Sequence, residues 1–293
     1  MRHPLPRLAT ALACLLLAAC SQSSAGNSKV LRFSAIPDDN TTALKQRFDP
    51  LAARLSEVLG VEVEYVPMSS YTASVEAFKN GDIQLAWFGG LTGAQARAAV
   101  DGARALAQGK VDTHFKSYFI ANASTGIERS AEFPKAMAGK SFTFGSDAST
   151  SGRLMPEHFV RENTGQAPED FFSQVGFSGS HDKTAALVQA GTWDTGALNY
   201  KTYERMVADG SLDPELCRLV WVTPEYADYN WTAHPALAKR FGKDFIANLQ
   251  EALVGIVDPA LLAACDREEG LIEASNADFQ AIHDLAAKLG FLR

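Results

Sequence analysis

Short apolar segments alternate with longer amphipathic segments from residue 30 onward. The runs 30–36 and 61–66 predict strands, and residues 41–59 between them carry large apolar side chains at helical spacing. These positions are Leu44, Phe48, Leu51, Leu55 and Leu59. Gly60 predicts the end of this helix, and Pro50 predicts a bend or a division within it. A helix at 71–79 and an apolar strand at 83–88 follow, and this β-α-β-α-β order predicts a parallel sheet with helices on both faces.

A second series of elements begins near residue 117. Predicted strands lie at 117–122, 141–144, 175–177, 195–199 and 219–222, and predicted helices at 151–163, 181–190 and 200–209. The C-terminal third is mostly helical. Two α/β units without an internal repeat predict two lobes, with 29–121 and 223–293 in lobe 1 and 122–222 in lobe 2. We therefore expect two crossovers, near Asn122 and Val222, and a ligand cleft between the lobes at the carboxyl ends of the strands.

The N-terminus has the features of a secretory signal. Arg2 and Arg7 precede an apolar run, residues 8–19, which is shorter than the roughly 20 residues needed to cross a bilayer. The run ends in Leu-Ala-Ala-Cys, which resembles the bacterial lipobox, so residues 1–19 are predicted to be a lipoprotein signal peptide and Cys20 the acylated residue. The alternative is an ordinary signal peptide with an incidental cysteine. Residues 20–28 are small and polar, which predicts a flexible tether.

Charge and cysteine content restrict the function further. The net charge of −7 argues against a nucleic-acid surface, so any bound anion must be held by local donors. No Cys-x-x-Cys or histidine-rich spacing indicates a metal site, and no cofactor is predicted. Cys217 and Cys265 are candidates for a disulfide in an oxidising compartment; two buried free thiols are the equally open alternative.

The most informative segment is 142–152, in which a predicted strand, a small polar loop and a helix start follow one another. A helix start presents free N–H groups and a partial positive charge. Ser149, Thr150 and Ser151 add three hydroxyl groups at the same point, just before Gly152. This combination predicts an anion site built without formal charge; simple N-capping is the alternative. Pro156 falls in the second turn of this helix and leaves its geometry open.

The chain resembles the periplasmic phosphonate- and phosphite-binding proteins of ABC importers over nearly its whole predicted mature length. Ser149-Thr150-Ser151-Gly152 followed by Pro156 matches the signature of that family. Further matches occur in the same order: Ile36-Pro37, Tyr71, Val75-Glu76-Ala77-Phe78, Asn80-Gly81-Asp82-Ile83, Ala86-Trp87-Phe88-Gly89, His181-Asp182-Lys183-Thr184-Ala185, Gly191, Asp194 and Gly196-Ala197. Within the family, the subgroup described as selenate-binding is the most similar.

The resemblance implies a two-lobed periplasmic-binding-protein fold of the type II-like class, without enzymatic activity. It implies that the three hydroxyl residues hold an oxyanion from lobe 2, that Tyr71 donates its O–H from lobe 1, and that His181 donates an N–H. Phe88 stands where some members carry tyrosine, which implies a drier pocket wall.

The remaining implied site residues lie near the second crossover and the end of a strand. Asp228 and Tyr229 would close the site. Asn199 lies where aminophosphonate binders would carry an acid, so a ligand with an amino group is disfavoured.

The ligand class stays open among phosphonate, phosphite, phosphate and selenate. Selenate and sulfate are fully ionised near neutral pH and require donors only, whereas phosphite and phosphonates can keep a proton and tolerate a carboxylate. Contact of Asp228 or Asp182 with the ligand would favour a protonatable oxyanion.

Two other roles remain open at this stage. The same fold can serve a membrane histidine kinase as a sensor subunit instead of an importer. A serine hydrolase is the second alternative, because Ser180-His181-Asp182-Lys183 matches Ser-x-x-Lys and Ser151 could pair with His181; however, no Gly-x-Ser-x-Gly motif occurs. The expected partners are a small oxyanion, an inner-membrane permease and a membrane contacted by the lipid alone, and a monomer is expected.

Overall fold

A computed structural model describes residues 29–292 of the chain. The predicted signal peptide, the tether and Cys20 therefore lie outside the described residues. Within the described part, no single helix is long and apolar enough to cross a bilayer; the pair Phe245–Val254 and Pro259–Cys265 reaches that composition only together and is bent by 109°.

Lobe 1 is built on a six-stranded sheet in the order β11-β4-β10-β3-β1-β2. Its strands are β1 (Leu31–Ala35), β2 (Val63–Tyr65), β3 (Leu85–Phe88), β4 (Arg104–Gly109), β10 (Asn230–Ala233) and β11 (Leu271–Glu273). Its helices are α1 (Thr41–Leu59), α2 (Tyr71–Lys79), α3 (Gly90–Ala99), α8 (Ala236–Phe241), α9 (Phe245–Val254), α10 (Pro259–Leu262) and α11 (Gln280–Lys288). Strands β1, β2 and β3 are parallel, whereas β10 runs antiparallel between β3 and β4.

Lobe 2 is built on a five-stranded sheet in the order β7-β6-β8-β5-β9. Its strands are β5 (Ser117–Asn122), β6 (Ser141–Phe144), β7 (Gln174–Phe177), β8 (Thr195–Asn199) and β9 (Cys217–Val222). Its helices are α4 (Met155–Thr164), α5 (Pro168–Phe171), α6 (His181–Gln189) and α7 (Tyr200–Ala208). The two-lobed α/β architecture predicted from the alternation of elements is confirmed, although neither sheet is wholly parallel.

The first crossover lies earlier than predicted. Strand β5 pairs with β8 and β9 in the sheet of lobe 2, so residues 117–121 belong to that lobe and not to lobe 1. The segments 110–116 and 223–229 connect the lobes. They run side by side, because Phe115 and Tyr226 form an antiparallel bridge and the N–H of Asp228 donates to the carbonyl of Asp112. Apolar periodicity identifies a strand but not its sheet, which depends on long-range pairing.

Local signals set the ends of α1 as the sequence predicts. The Asn40 side chain accepts from the N–H groups of Thr42 and Ala43, and Gly60 ends the helix with a φ of 64°. Pro50 does not divide the helix, which is continuous from Thr41 to Leu59, and it lies on the exposed face. The opposite face packs Phe48 on Phe33 and Trp231 of the sheet, with ring centroids 6.0 and 6.3 Å apart.

Candidate functional site

The segment 149–155 forms a wide turn that opens α4 at the cleft. Ser149 is the N-cap, and its Oγ accepts from the N–H of Gly152 at 3.0 Å. The N–H of Leu154 donates to the carbonyl of Ser149, five residues earlier, so the turn is π-helical. Pro156 lies in the first turn of α4 proper, where the missing N–H has no helical partner to lose. The wide turn therefore accommodates Pro156 without interrupting the helix.

Thr150 connects the two lobes. Its Oγ1 accepts from the N–H of Leu91 at 2.9 Å, and the N–H of Gly90 donates to Oδ1 of Asp228 at 2.8 Å. The free N–H groups at the start of α3 are therefore capped by side chains from lobe 2 and the second crossover. Gly89 permits this approach, because a Cβ there would lie 3.1 Å from Thr150 Oγ1 and 3.3 Å from Asp228 Oδ1.

Three buried polar atoms at this junction have no hydrogen-bond partner within residues 29–292: Tyr71 Oη, His181 Nε2 and Asp228 Oδ2. Tyr71 and His181 are the first residues of α2 and α6, one in each lobe, and Asp228 lies in the second crossover. Each residue is at most 1 % exposed. Buried groups of this kind are nearly always paired, so three together indicate a place for a polar ligand.

Contacts of the wide turn show that Tyr71, His181 and Asp228 lie close together. The hydroxyl of Ser149 lies beside the phenol of Tyr71. A Cβ on Gly152 would lie 3.0 Å from both Ser149 Oγ and His181 Cε1. The hydroxyl of the next residue, Thr150, lies beside the carboxylate of Asp228. The wide turn therefore brings donors of both lobes and one carboxyl group together.

His181 is neutral and oriented as a donor. The N–H of Asn199 donates to His181 Nδ1 at 3.3 Å, so the ring proton resides on the unpartnered Nε2. Burial lowers the pKa of His181 to about 4. The backbone N–H of His181 donates to the carbonyl of Asp38 across the cleft, at 3.3 Å. The ring can therefore offer one N–H to an anion without carrying charge.

Asp228 is the acidic member of the group. Burial raises its pKa to about 7, even though the hydrogen bond from Gly90 and the neighbouring hydroxyl of Thr150 favour the ionised form. Burial also raises the pKa of Tyr71 well above its usual value, and the nearby charges of Asp38 and Asp228 act in the same direction. Near neutral pH the site thus holds a phenol that keeps its proton and a carboxyl group that titrates.

Asn199 and Tyr229 bind each other. Asn199 Oδ1 caps α7 by accepting from Thr202, its Nδ2 donates to Tyr229 Oη at 3.1 Å, and Tyr229 Oη donates to Asp38 Oδ2 at 2.9 Å. Burial raises the pKa of Asp38 to about 6. This relay links lobe 2, the second crossover and lobe 1. Sequence reasoning missed Asp38, although its position directly after Ile36-Pro37, at the end of β1, was a usable signal.

Ser151 and Phe88 occupy supporting positions. The carbonyl of Ser151 accepts from Ser117 Oγ at 2.7 Å, which fixes the wide turn to β5. The Phe88 ring packs edge-on against Phe78 with centroids 5.6 Å apart, directly before Gly89 at the end of β3. Phe88 is fully buried there, and its place in a drier pocket wall stays a prediction.

Of the two alternatives left open for the cysteines, the structure supports buried free thiols. Cys217 and Cys265 are both free and buried, and they lie in different lobes. Burial raises the pKa of Cys217 to about 12, which keeps its thiol protonated and unreactive. Within residues 29–292, no cluster of three His, Cys, Asp or Glu side chains could hold a metal ion.

The two lobes contact each other over the site, and a groove separates them at its edge. In lobe 1, Pro37 and residues 39–41 and 69–70 line a groove of about 520 Å³, and residues 146–147, 177–180 and 182–183 of lobe 2 line its other side. Two ion pairs also join the lobes: Arg205 of lobe 2 donates to Asp39 of lobe 1 at 2.7 Å, and Lys201 of lobe 2 pairs with Glu269 of lobe 1 at 2.9 Å.

Comparison with known proteins gives consistent matches over most of the chain. Residues 33–279 match the family model described as ABC transporter, phosphonate, periplasmic substrate-binding protein. The chain is 36 % identical to the probable ABC transporter phosphite binding protein PhnD1 of Prochlorococcus marinus, over 95 % of this chain and 96 % of that protein. The structure of PhnD1 in complex with methylphosphonate superposes with a TM-score of 0.84 at 37 % identity, covering 90 % of this chain and 99 % of that one. The phosphate-import protein PhnD of Mycolicibacterium smegmatis is 28 % identical, over 97 % and 96 %.

Proposed function

Because this chain belongs to the family of periplasmic substrate-binding proteins of phosphonate ABC transporters, we propose that its ligand is a small oxyanion that keeps one proton, of the phosphite and methylphosphonate type. The ligand would lie among Tyr71, His181, Asp228 and the wide turn at Ser149–Ser151. The protein would pass it to the permease of an importer.

One observation carries this proposal. Tyr71 Oη, His181 Nε2 and Asp228 Oδ2 are buried without a partner, and they come from lobe 1, lobe 2 and the crossover between them. A ligand that satisfies all three must touch both lobes at once. Contacts that exist only in the closed form shift the population toward that form, which is how capture by closure works.

The chemistry of the three atoms favours a protonated ligand. Tyr71 and His181 supply O–H and N–H donors for anionic oxygens, and Ser149 can add its hydroxyl because its Oγ uses only a lone pair to accept from Gly152. Asp228 has a free acceptor oxygen, which suits a ligand O–H. Sulfate or selenate would bring two full charges against this carboxyl group, so each binds only when Asp228 is protonated. This argument disfavours the selenate assignment suggested by subgroup similarity.

The relatives restrict the candidate ligands but do not select one of them. PhnD1 is named as a phosphite binder and was crystallised with methylphosphonate, whereas PhnD is named as a phosphate importer. All three anions share a tetrahedral phosphorus and a titratable proton. The direct test is calorimetry at pH 7 with phosphite, methylphosphonate, phosphate, sulfate and selenate. We expect at least one of the first three to bind far more tightly than sulfate and selenate; tighter binding of sulfate or selenate would refute the assignment.

We also propose that the protein binds without catalysis. The hydroxyl of Ser151 lies beside Tyr226, and the Nδ1 of His181 accepts from Asn199, so neither is placed as the nucleophile or base of a hydrolase. Fluorophosphonate labelling of Ser151 or Ser180 would contradict this.

Membrane attachment rests on the lipobox alone. We propose that Cys20 is acylated and that the folded part, a monomer, stands in the periplasm at the end of the 20–28 tether. Mass spectrometry of the membrane fraction should find the lipid on Cys20. A Cys20→Ala variant should leave that fraction, and a variant that stays membrane-bound without lipid would refute the anchor.

A further inference from the structure

Arg267 lies in the loop between α10 and β11 and is only 2 % exposed. Its Nε and Nη2 donate to the two carboxylate oxygens of Asp112, at 2.8 and 2.7 Å. Its Nη1 donates to the carbonyls of Cys265 and Asp266, at 2.8 and 2.9 Å. Although burial acts against the charged form, Asp112 raises the pKa of Arg267 above its ordinary value, so this buried cation is permanent.

The guanidinium also contacts three aromatic rings that meet at the crossovers. It lies 4.7 Å from the ring centroid of Tyr229, 5.3 Å from Phe115 and 5.5 Å from Trp87. Trp87 stacks on Tyr229 from the end of β3, with centroids 5.4 Å apart. Planar guanidinium groups favour such faces, and a lysine ammonium cannot reproduce both the stacking and the two-pronged carboxylate bond.

Asp112 connects Arg267 to both crossovers. Asp112 lies in the first crossover, and its carbonyl accepts from the N–H of Asp228 in the second at 3.0 Å. Its Oδ2 also accepts from the N–H of Gly109 at 2.8 Å. Only glycine fits there, because a Cβ would lie 2.5 Å from both Arg267 Cδ and Asp112 Oδ2.

The backbone beside Arg267 is held in an unusual conformation. Asp266 has a φ of 53° and is the one residue other than glycine with positive φ among residues 29–292. Its carboxylate pairs with Arg47 at 3.0 Å. Asp266 ends the short 3-10 turn Ala263–Cys265 in this left-handed conformation, which aspartate adopts more readily than most residues. Arg267 therefore stands at the start of the loop that leads to β11.

We propose that Arg267 is a positioning residue of the anion site, which sets Tyr229 through its ring and Asp228 through Asp112. This inference rests on the proposed function, since it needs Asp228 to face the ligand. Arg267 does not touch the ligand. It holds the two crossovers in the register in which the Asp228 carboxyl group points at the site and Tyr229 reaches Asp38.

The test compares two variants by calorimetry with methylphosphonate and by melting temperature. Arg267→Lys keeps the charge but loses the paired bond and the stacking. The second variant, Asp112→Leu with Arg267→Met, replaces the buried ion pair by apolar groups of similar volume, a change that folded proteins commonly accept. We expect both variants to bind about tenfold more weakly or worse, which is the loss from one misaligned charge-assisted hydrogen bond. We expect the double variant to melt at a higher temperature than Arg267→Lys. We do not expect it to bind methylphosphonate more tightly than Arg267→Lys does.

Three controls separate positioning from general stability. Leu249→Ala removes a fully buried side chain of α9 and should lower the melting temperature while leaving affinity unchanged. Arg240→Lys alters an arginine that lies over the Phe241 ring, at 5.6 Å from its centroid, and should change neither. In an Asp228→Asn background the effect of Arg267→Lys should shrink, because the positioned group is gone.

The outcomes are distinct. Wild-type protein that fails to bind any of phosphite, methylphosphonate and phosphate would overturn the proposed function itself. Wild-type binding with unchanged affinity in Arg267→Lys would overturn the positioning role alone. Recovery of affinity together with melting temperature in the double variant would show that Arg267 is merely structural, and would also overturn it.

Discussion

At the scale of single residues, the proposed function makes the choice among anions depend on the carboxyl group of Asp228. Its pKa of about 7 means that it is protonated below that pH and ionised above it. Burial of the group is therefore least costly at low pH, and closure without ligand becomes less favourable as the pH rises through 7. A fully ionised anion needs the protonated form, whereas an anion with its own proton can meet the carboxylate.

Asp228→Asn should change selectivity and pH dependence together. The wild-type affinity for sulfate should fall about tenfold per pH unit above pH 7, since one proton must be taken up on binding. The variant, which has no proton to take up, should bind sulfate with a flat profile and more tightly than wild type at pH 8. Calorimetry from pH 7 to 9, above the pKa of about 6 of the nearby Asp38, measures this, and an unchanged slope in the variant would exclude Asp228 from the site.

His181 should contribute a donor but no pH dependence in the same range. Its pKa of about 4 keeps it neutral above pH 6. His181→Phe should weaken methylphosphonate binding by about 1.5–3 kcal/mol, the value of one hydrogen bond to a charged group. His181→Gln, which places an N–H near the same point, should recover part of that loss and keep the wild-type pH slope. Equal losses in both variants would argue against donation from Nε2.

At the scale of elements, α7 joins the site to the rim of the cleft. The helix is capped by Asn199, which binds Tyr229, and it carries Lys201 and Arg205 one turn apart on the side that faces lobe 1. Arg205 pairs with Asp39, whose side chain is only 12 % exposed. Such partly buried pairs form only when the lobes are closed, so they stabilise the closed form.

Arg205→Gln should weaken ligand binding severalfold, corresponding to about 1 kcal/mol for a partly exposed ion pair. The matched control is Arg218→Gln. Arg218 pairs with Glu128 within lobe 2 at 2.8 Å and its side chain is 34 % exposed, against 35 % for Arg205. The control should bind like wild type, and the difference between the two should shrink at high salt. Equal affinities of the two variants at low salt would contradict a role for this pair in closure.

Elements also show how far the sequence alone could reach. The helix start at Ser149–Ser151 and the ends of α1 follow from local signals, so they were predictable. The sheet to which β5 belongs was not, because β5 acquires its partners β8 and β9 from far along the chain. Arg267 escaped notice for the same reason: its partner Asp112 lies 155 residues away. The features that could not be predicted from the sequence are those that depend on long-range pairing and not on local conformational preference.

At the scale of the whole molecule, the proposed capture requires motion of the two lobes about the paired crossovers. In the structure the lobes are in contact, as the proposed closed form requires: Thr150 accepts from Leu91, and His181 donates to Asp38. Small-angle X-ray scattering should show a larger radius of gyration without ligand, and convergence on the curve calculated from this structure when methylphosphonate is added. An unchanged curve would mean that capture does not involve closure.

The most direct test of the account is a crystal structure of the protein with methylphosphonate. We predict ligand oxygens within about 3.2 Å of Tyr71 Oη, His181 Nε2 and Asp228 Oδ2, the range of ordinary hydrogen bonds. A ligand bound elsewhere, with these three atoms still buried and unpartnered, would contradict it.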